Sequence, residues 1–162
     1  MMEQHDSLPP RLPLAVDLDR TLLVTDTLVE QLLTVAFRSP LGTLKALTTL
    51  LKGRAAFKQA ILRIAMIDPR SFLFNQALLA YLKEQKRVGR ALFLVTAADQ
   101  KTADLVAQKV GLFDSATGSS PPVNLKGRHK LEYLEKRFPD GFSYAGDSPA
   151  DLAIWAKASR AC

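Results

Sequence analysis

An apolar run that ends in two aspartates places the strongest constraint on the fold of this chain. Residues 12–16 have the length and composition of a buried central strand, and Asp17 and Asp19 follow it directly. Ligands of open α/β sheets bind beyond the carboxyl ends of the strands, so such a strand would deliver both carboxylates to a binding edge. Two aspartates this close repel each other, and a metal ion is the simplest source of compensating charge. Taken alone, the pair is also compatible with a solvated turn between strand and helix.

Length and composition indicate one globular domain. A chain of 162 residues can bury a sizeable core, with or without a small insertion. Its 48% apolar and 23% charged residues argue against disorder. No apolar run approaches the roughly 20 residues that span a bilayer, so we expect a soluble, cytoplasmic protein. Cys162 is the only cysteine, which excludes an internal disulfide and fits a reducing compartment.

The net charge of +6 is unevenly distributed. The basic residues between Lys52 and Arg90 are opposed only by Asp68 and Glu84. This region would steer an anionic substrate or rest against an anionic surface, although solvated helix faces also explain such spacing. Because the stretch has few aromatic residues and no recognition motif, we do not expect nucleic-acid binding.

A long helical insertion is predicted after the first strand. Apolar residues at helical spacing indicate helices from residue 28, over residues 41–51 and around residues 57–65, with breaks at Pro40, Gly53 and Pro69. This stretch is longer than an ordinary connection, and we interpret residues 27–75 as a small helical cap. The alternative is a helical bundle inside the core. Residues 1–26 and 76–162 would then form the α/β core.

Further strands of the core are also followed by polar side chains. Residues 91–95 lead to Thr96, and residues 142–145 lead to Asp147 and Asp151; a weak strand is expected at 115–117. Helices are predicted at 75–88, 99–110, around Leu131 and at 152–158. This alternation predicts a Rossmann-like parallel sheet with right-handed crossovers. The last residues have the pattern of an approach to a further strand, so we expect the final strand to be missing.

The carboxyl ends of parallel strands share one edge, so the polar residues that follow the strands should converge. Carboxylates, a hydroxyl and a lysine are the groups needed to hold Mg²⁺ and a phosphoryl group. The predicted set is Asp17, Asp19, Thr96, Lys126, Asp147 and Asp151. Lys130 is an alternative to Lys126, but we favour Lys126 because it stands at the predicted junction of loop and helix.

These motifs resemble those of the haloacid dehalogenase-like (HAD) superfamily of phosphohydrolases. The resemblance rests on residues 17–21, Thr96, Lys126 and residues 146–151, which occur in the family's order over nearly the whole chain. The segment at 27–75 occupies the position of the family's helical cap. The resemblance implies a Mg²⁺-dependent phosphatase that acts on a small phosphorylated substrate.

The resemblance also implies a role for each matching residue. Asp17 would be the nucleophile that forms an aspartyl-phosphate, and Asp19 the general acid and base. Thr96, with Ala97 beside it, and Lys126 would bind the phosphoryl oxygens. The implied Mg²⁺ ligands are Asp17, the main-chain carbonyl of Asp19, Asp147 and Asp151, the last directly or through water.

Two residues of the first motif refine this expectation. Asp19 occupies the position of an acid that dehalogenating members lack, so a phosphatase or phosphotransferase is favoured over a dehalogenase. Arg20 stands where the family usually has glycine. It would either contact substrate phosphate or point to solvent beside the cap hinge, and we favour the second.

A narrower resemblance is to the soluble N-terminal HAD domain fused to UbiA-type membrane polyprenyltransferases. It rests on residues 17–27, 53–58, 96–99, 124–127 and 144–148. It implies a membrane-embedded prenyltransferase domain that follows in a longer parent chain, with this domain at the cytoplasmic face of the membrane. The alternative function is therefore a regulatory or docking domain with little activity of its own.

Overall fold

A five-stranded parallel sheet forms the centre of the protein. The computed structural model describes residues 11–27, 36–37, 40–48, 51, 72–120 and 122–161. The strands are β1 (Leu14–Val16), β2 (Leu92–Asp99), β3 (Ser115–Ser119), β4 (Ser143–Ala145) and β5 (Arg160–Ala161). Their order in the sheet is β3-β2-β1-β4-β5, and every pairing is parallel. The predicted α/β class with a Rossmann-like parallel sheet is confirmed.

Helices connect the strands, and their ends follow local sequence signals. The helices are α1 (Pro40–Thr48), α2 (Gln76–Arg87), α3 (Gln100–Val110), α4 (Arg128–Arg137) and α5 (Leu152–Trp155). The Asn75 side chain accepts a hydrogen bond from Leu78 N and so caps α2, and Asp99 caps α3 in the same way. Gly111 ends α3 at φ 67°, a left-handed conformation that glycine adopts without strain.

Apolar side chains cover both faces of the sheet, as a parallel sheet requires. On one face, Leu14, Val16 and Leu94 pack with residues of α2 and α3. On the other, Ala15 and Val95 pack with residues of α4 and α5. The alternation within β1 therefore buries the strand completely and holds its carboxyl end in the middle of the molecule.

Three boundaries differ from the prediction. Strand β2 continues through Asp99, so Thr96 lies within the strand and not after it. Helix α5 ends at Trp155, well before the expected residue 158. We expected the final strand to be missing, but Arg160 and Ala161 pair with Ser143 and Tyr144 and form a two-residue strand, β5.

The predicted cap is described only in part. Helix α1 corresponds to the helix expected at 41–51. The helices predicted from residue 28 and around residues 57–65 lie outside the described residues. Among the residues that are described, no helix is long and apolar enough to cross a membrane.

Candidate active site

Asp17 stands at the carboxyl end of the central strand. Its main-chain N–H donates to the carbonyl of Ala145 at 2.8 Å, which fixes the position of the residue between β1 and β4. The residue is 6% exposed. The fold therefore presents a nearly buried carboxylate at the sheet edge where open α/β proteins bind ligands.

Lys130 neutralises Asp17 from the first turn of α4. Its Nζ lies 2.9 Å from Oδ1 of Asp17 and 3.6 Å from Oδ1 of Asp151, and the lysine side chain is 3% exposed. The same Nζ donates to the Tyr144 hydroxyl at 3.0 Å. One buried ammonium group is thus shared between two carboxylates and a phenol.

Burial dominates the electrostatics of this cluster. It raises the pKa of Asp17 above the ordinary aspartate value; Lys130 opposes this shift, and the charge of Asp151 adds to it. Burial also raises the pKa of Tyr144, with further contributions from Asp17 and Asp151, so the phenol stays neutral and can accept from Lys130. The ionised form of Asp17 is therefore only partly compensated by the lysine, and a further cation nearby would favour it.

A loop at Leu18–Leu22, closed by a hydrogen bond from Leu23 N to the carbonyl of Leu18 at 2.9 Å, carries the second aspartate. Asp19 Oδ1 accepts a hydrogen bond from the main-chain N–H of Thr27 at 2.9 Å, which ties the carboxylate to the start of the predicted cap. Arg20 follows at φ 58° and ψ 3°, and its guanidinium lies 3.9 Å from Oδ2 of Asp26. This loop places Asp19 and Arg20 on the wall of the same pocket as Asp17.

A turn after β4 brings in the remaining carboxylates. Ser148 caps the short 3₁₀ turn Pro149–Asp151 through a hydrogen bond from Ala150 N to its hydroxyl. This turn directs Asp151 into the interior, where it is 1% exposed, while Asp147 remains exposed. Both residues line the pocket that Asp17 and Asp19 line.

Gly146, between these residues and β4, leaves no room for a side chain. An added Cβ would stand 2.5 Å from Cε1 of Tyr144 and 2.8 Å from Oδ2 of Asp151. The glycine therefore permits the close packing of the phenol and the carboxylate around Lys130.

Six of the predicted site residues line one pocket: Asp17, Asp19, Ala97, Lys126, Asp147 and Asp151. Thr96 is fully buried, and its hydroxyl oxygen accepts a hydrogen bond from Ala98 N at 3.0 Å. A hydroxyl that accepts in this way still has a proton to donate. The structure thus brings six of the predicted residues to one pocket, and the buried Thr96 does not line it.

The lysine that contacts Asp17 is Lys130, and not the preferred Lys126. Lys126 precedes α4, is exposed, and lies at the rim of the pocket. Lys130 shares the buried face of α4 with Leu134, four residues later. The sequence-based prediction had Lys130 only as the alternative; the only available signal was the four-residue spacing of Lys130 from an apolar position of the same helix.

The residues of the pocket fit a hard divalent cation. Carboxylate and carbonyl oxygens are the ligands that Mg²⁺ favours, and Oδ2 of Asp151 is buried without a hydrogen-bond partner among the described residues. Within those residues, no three acidic, histidine or cysteine side chains are clustered closely enough to form a metal site by themselves. A cation here would need main-chain, water or substrate oxygens as well, which is usual for Mg²⁺.

The chain is similar to a sequence relative and to several solved structures. It is 43% identical over 156 residues to the uncharacterized protein y4nM of Sinorhizobium fredii (strain NBRC 101917 / NGR234). That match includes 96% of this chain but only 30% of the length of the relative. No known protein-family profile matches the chain.

Several solved structures with a similar fold are described as phosphatases or hydrolases. One is described as a phospho-aspartyl intermediate analogue of phosphoserine phosphatase, with a TM-score of 0.62, 16% identity, and coverage of 94% of this chain and 85% of that one. Another is a HAD family hydrolase from Salmonella enterica serovar Typhi, with a TM-score of 0.61, 16% identity, and coverage of 91% and 61%. This chain therefore has the HAD-like fold.

Proposed function

We propose that this protein is a Mg²⁺-dependent phosphatase that hydrolyses a phosphomonoester through an aspartyl-phosphate on Asp17. The observation that carries the proposal is the buried pair of Asp17 and Lys130 at the end of the central strand, with Asp19 on the same pocket wall. The fold supports it, since one structure of this fold is described as a phospho-aspartyl intermediate analogue.

In the first step, an oxygen of Asp17 attacks phosphorus and the bond from phosphorus to the substrate oxygen breaks. Asp19 gives its proton to that leaving oxygen, so an alcohol departs and the phosphoryl group stays on Asp17. In the second step, water attacks the same phosphorus while Asp19 takes its proton. The acyl phosphate bond breaks, inorganic phosphate leaves, and both aspartates return to their initial states.

The other residues position the groups and balance charge. Lys130 stabilises negative charge on Asp17 and on the oxygens of the phosphoryl group. Thr96 donates a hydrogen bond from its hydroxyl to a phosphoryl oxygen. Asp17, Asp147 and the main-chain carbonyl of Asp19 would hold Mg²⁺, with Asp151 directly or through water. When bound, the ion supplies positive charge opposite the phosphoryl oxygens, which is a large part of catalysis in phosphoryl transfer.

A phosphatase assay with p-nitrophenyl phosphate tests the proposal. We expect hydrolysis in Mg²⁺ and none after chelation with EDTA. Asp17→Asn should abolish turnover, since an amide is not a nucleophile. Asp140→Asn, at an exposed turn outside the pocket, is the matched control and should retain full activity. Turnover by the Asp17→Asn protein would overturn the proposal.

A second candidate function is docking or regulation of a membrane-embedded polyprenyltransferase. One observation favours it, since large apolar side chains in the described part of the predicted cap face solvent. They include Phe37 (85% exposed), Leu41 (83%), Leu44 (63%), Leu47 (42%) and Leu51 (93%). Undiminished prenyltransferase function of a full-length parent that carries Asp17→Asn would favour docking, and its loss would favour catalysis.

A further inference from the structure

Arg20 holds a strained backbone conformation at the wall of the candidate active site. Among the described residues, it alone has a positive φ without being glycine. An arginine at φ 58° has a Cβ close to the following carbonyl, which costs free energy that glycine would not lose. Strained residues of this kind cluster at functional sites, where the surrounding structure holds the conformation and the side chain has a function.

The contacts of Arg20 with other residues contribute too little stability to offset the free-energy cost of this conformation. Its guanidinium pairs with Asp26 at 3.9 Å, and the two side chains are 66% and 33% exposed. A long ion pair between solvated side chains contributes little stability. Arg20 N donates to the carbonyl of Thr25 at 3.2 Å, but glycine would make the same main-chain bond. The guanidinium itself is therefore the part of this residue that needs an explanation.

The position of Arg20 indicates which part of a substrate it would meet. It directly follows Asp19, the proposed donor of a proton to the leaving oxygen, and both line the pocket. Lys130 is already engaged by Asp17 and Asp151. Arg20 is thus an exposed cation on the leaving-group side, and its planar fork of donors matches a carboxylate or a phosphate.

We propose that Arg20 binds a second anionic group, a carboxylate or a phosphate, on the leaving portion of the substrate. This inference rests on the proposed phosphatase function and assigns the substrate class: phosphomonoesters whose alcohol carries another anion. Asp26 holds the guanidinium of Arg20 toward the pocket until the second anion of the substrate replaces Asp26 as its partner.

A matched series of two-carbon substrates tests the assignment. Ethyl phosphate has no second anion, phosphoglycolate has a carboxylate, and ethylene glycol bisphosphate has a phosphate. The variants are Arg20→Gly, which removes charge and strain, and Arg20→Ala, which removes the charge alone. Arg128→Ala is the control, because Arg128 is an exposed arginine paired with Glu132 and is not part of the pocket wall.

The parent should prefer either phosphoglycolate or ethylene glycol bisphosphate over ethyl phosphate by about tenfold in kcat/KM. The difference should arise from a lower KM. Both Arg20 variants should lose that preference and keep their activity on ethyl phosphate, and only Arg20→Gly should raise Tm. The analogue that is preferred identifies carboxylate or phosphate as the anion.

The possible failures are distinguishable. Absence of any hydrolysis by the parent in Mg²⁺ would overturn the phosphatase and this inference together. Hydrolysis with the same preference in the parent and in both Arg20 variants would overturn the role of Arg20 and leave the phosphatase standing. An equal loss on all three substrates would also refute it, since Arg20 would then act on the reaction and not on the second anion.

Discussion

Replacing Lys130 by methionine should damage both stability and catalysis, whereas the same change at Lys126 should do neither. Methionine keeps the apolar stem of Lys130 but leaves the buried carboxylates of Asp17 and Asp151 without the ammonium at 2.9 and 3.6 Å. Removing one partner of a buried ion pair costs about 3–5 kcal/mol. Loss of a preorganised charge at the reacting group should lower kcat by about 100-fold or more. At exposed Lys126 we expect a change within about 0.5 kcal/mol.

Urea unfolding without metal and p-nitrophenyl phosphate hydrolysis with Mg²⁺ measure the two effects. The pKa of Asp17 is already raised by burial and should rise further in the variant. Since the folded variant then binds a proton that the unfolded chain releases, its stability is highest below the ordinary aspartate pKa and falls as pH rises through the folded value. The deficit relative to the parent should therefore shrink in acid. A Lys126→Met protein that is inactive beside an active Lys130→Met protein would refute this reasoning.

Three further changes test other parts of the structure. Gly146→Ala should cost about 2 kcal/mol and reduce turnover, because the new methyl overlaps the Tyr144 ring; urea unfolding and kcat report both. Asp114→Asn should destabilise by less than about 1 kcal/mol. Lys86 donates a hydrogen bond to Asp114, but both side chains are partly exposed and solvent screens the pair. Lys86 lowers the pKa of Asp114, so this contribution is present above the ordinary aspartate pKa and is lost as pH falls through the folded value; a pH series of Tm should show the two proteins converging in acid. Arg90→Met should cost about 2 kcal/mol at unchanged kcat, because its guanidinium donates to the segment before β1 and to β4, at the sheet end away from the pocket.

Strands and their polar ends could be predicted because they depend on local pattern. The apolar run before Asp17 and the run before Thr96 have strand composition, and alternation with helices implies a parallel sheet. A parallel sheet gathers strand ends at one edge, so the convergence of Asp17, Asp19, Asp147 and Asp151 on one pocket follows from topology.

The choice of lysine could not be made from position along the chain. Lys126 and Lys130 both stand near the start of a helix, and which one reaches Asp17 depends on how α4 is rotated against the sheet. That rotation is set by the burial of Leu134 with Phe142 and Ile154, which come from other elements. Similarly, the short extent of α5 depends on the pairing of β5 with β4 rather than on helix propensity.

The central place of β1 also has a consequence for how the site comes into existence. Leu14 pairs with Leu92 on one side and with Ser143 on the other. The strand that precedes Asp17 is therefore synthesised early, but the strands that pair with it are synthesised much later. Closing such long loops is entropically costly and slows folding. During synthesis, Asp17 emerges long before Lys130 and Asp151. A ribosome-bound chain that stops before residue 130 should therefore be unable to form the proposed acyl phosphate. Reactivity should appear only once β4 has joined the sheet.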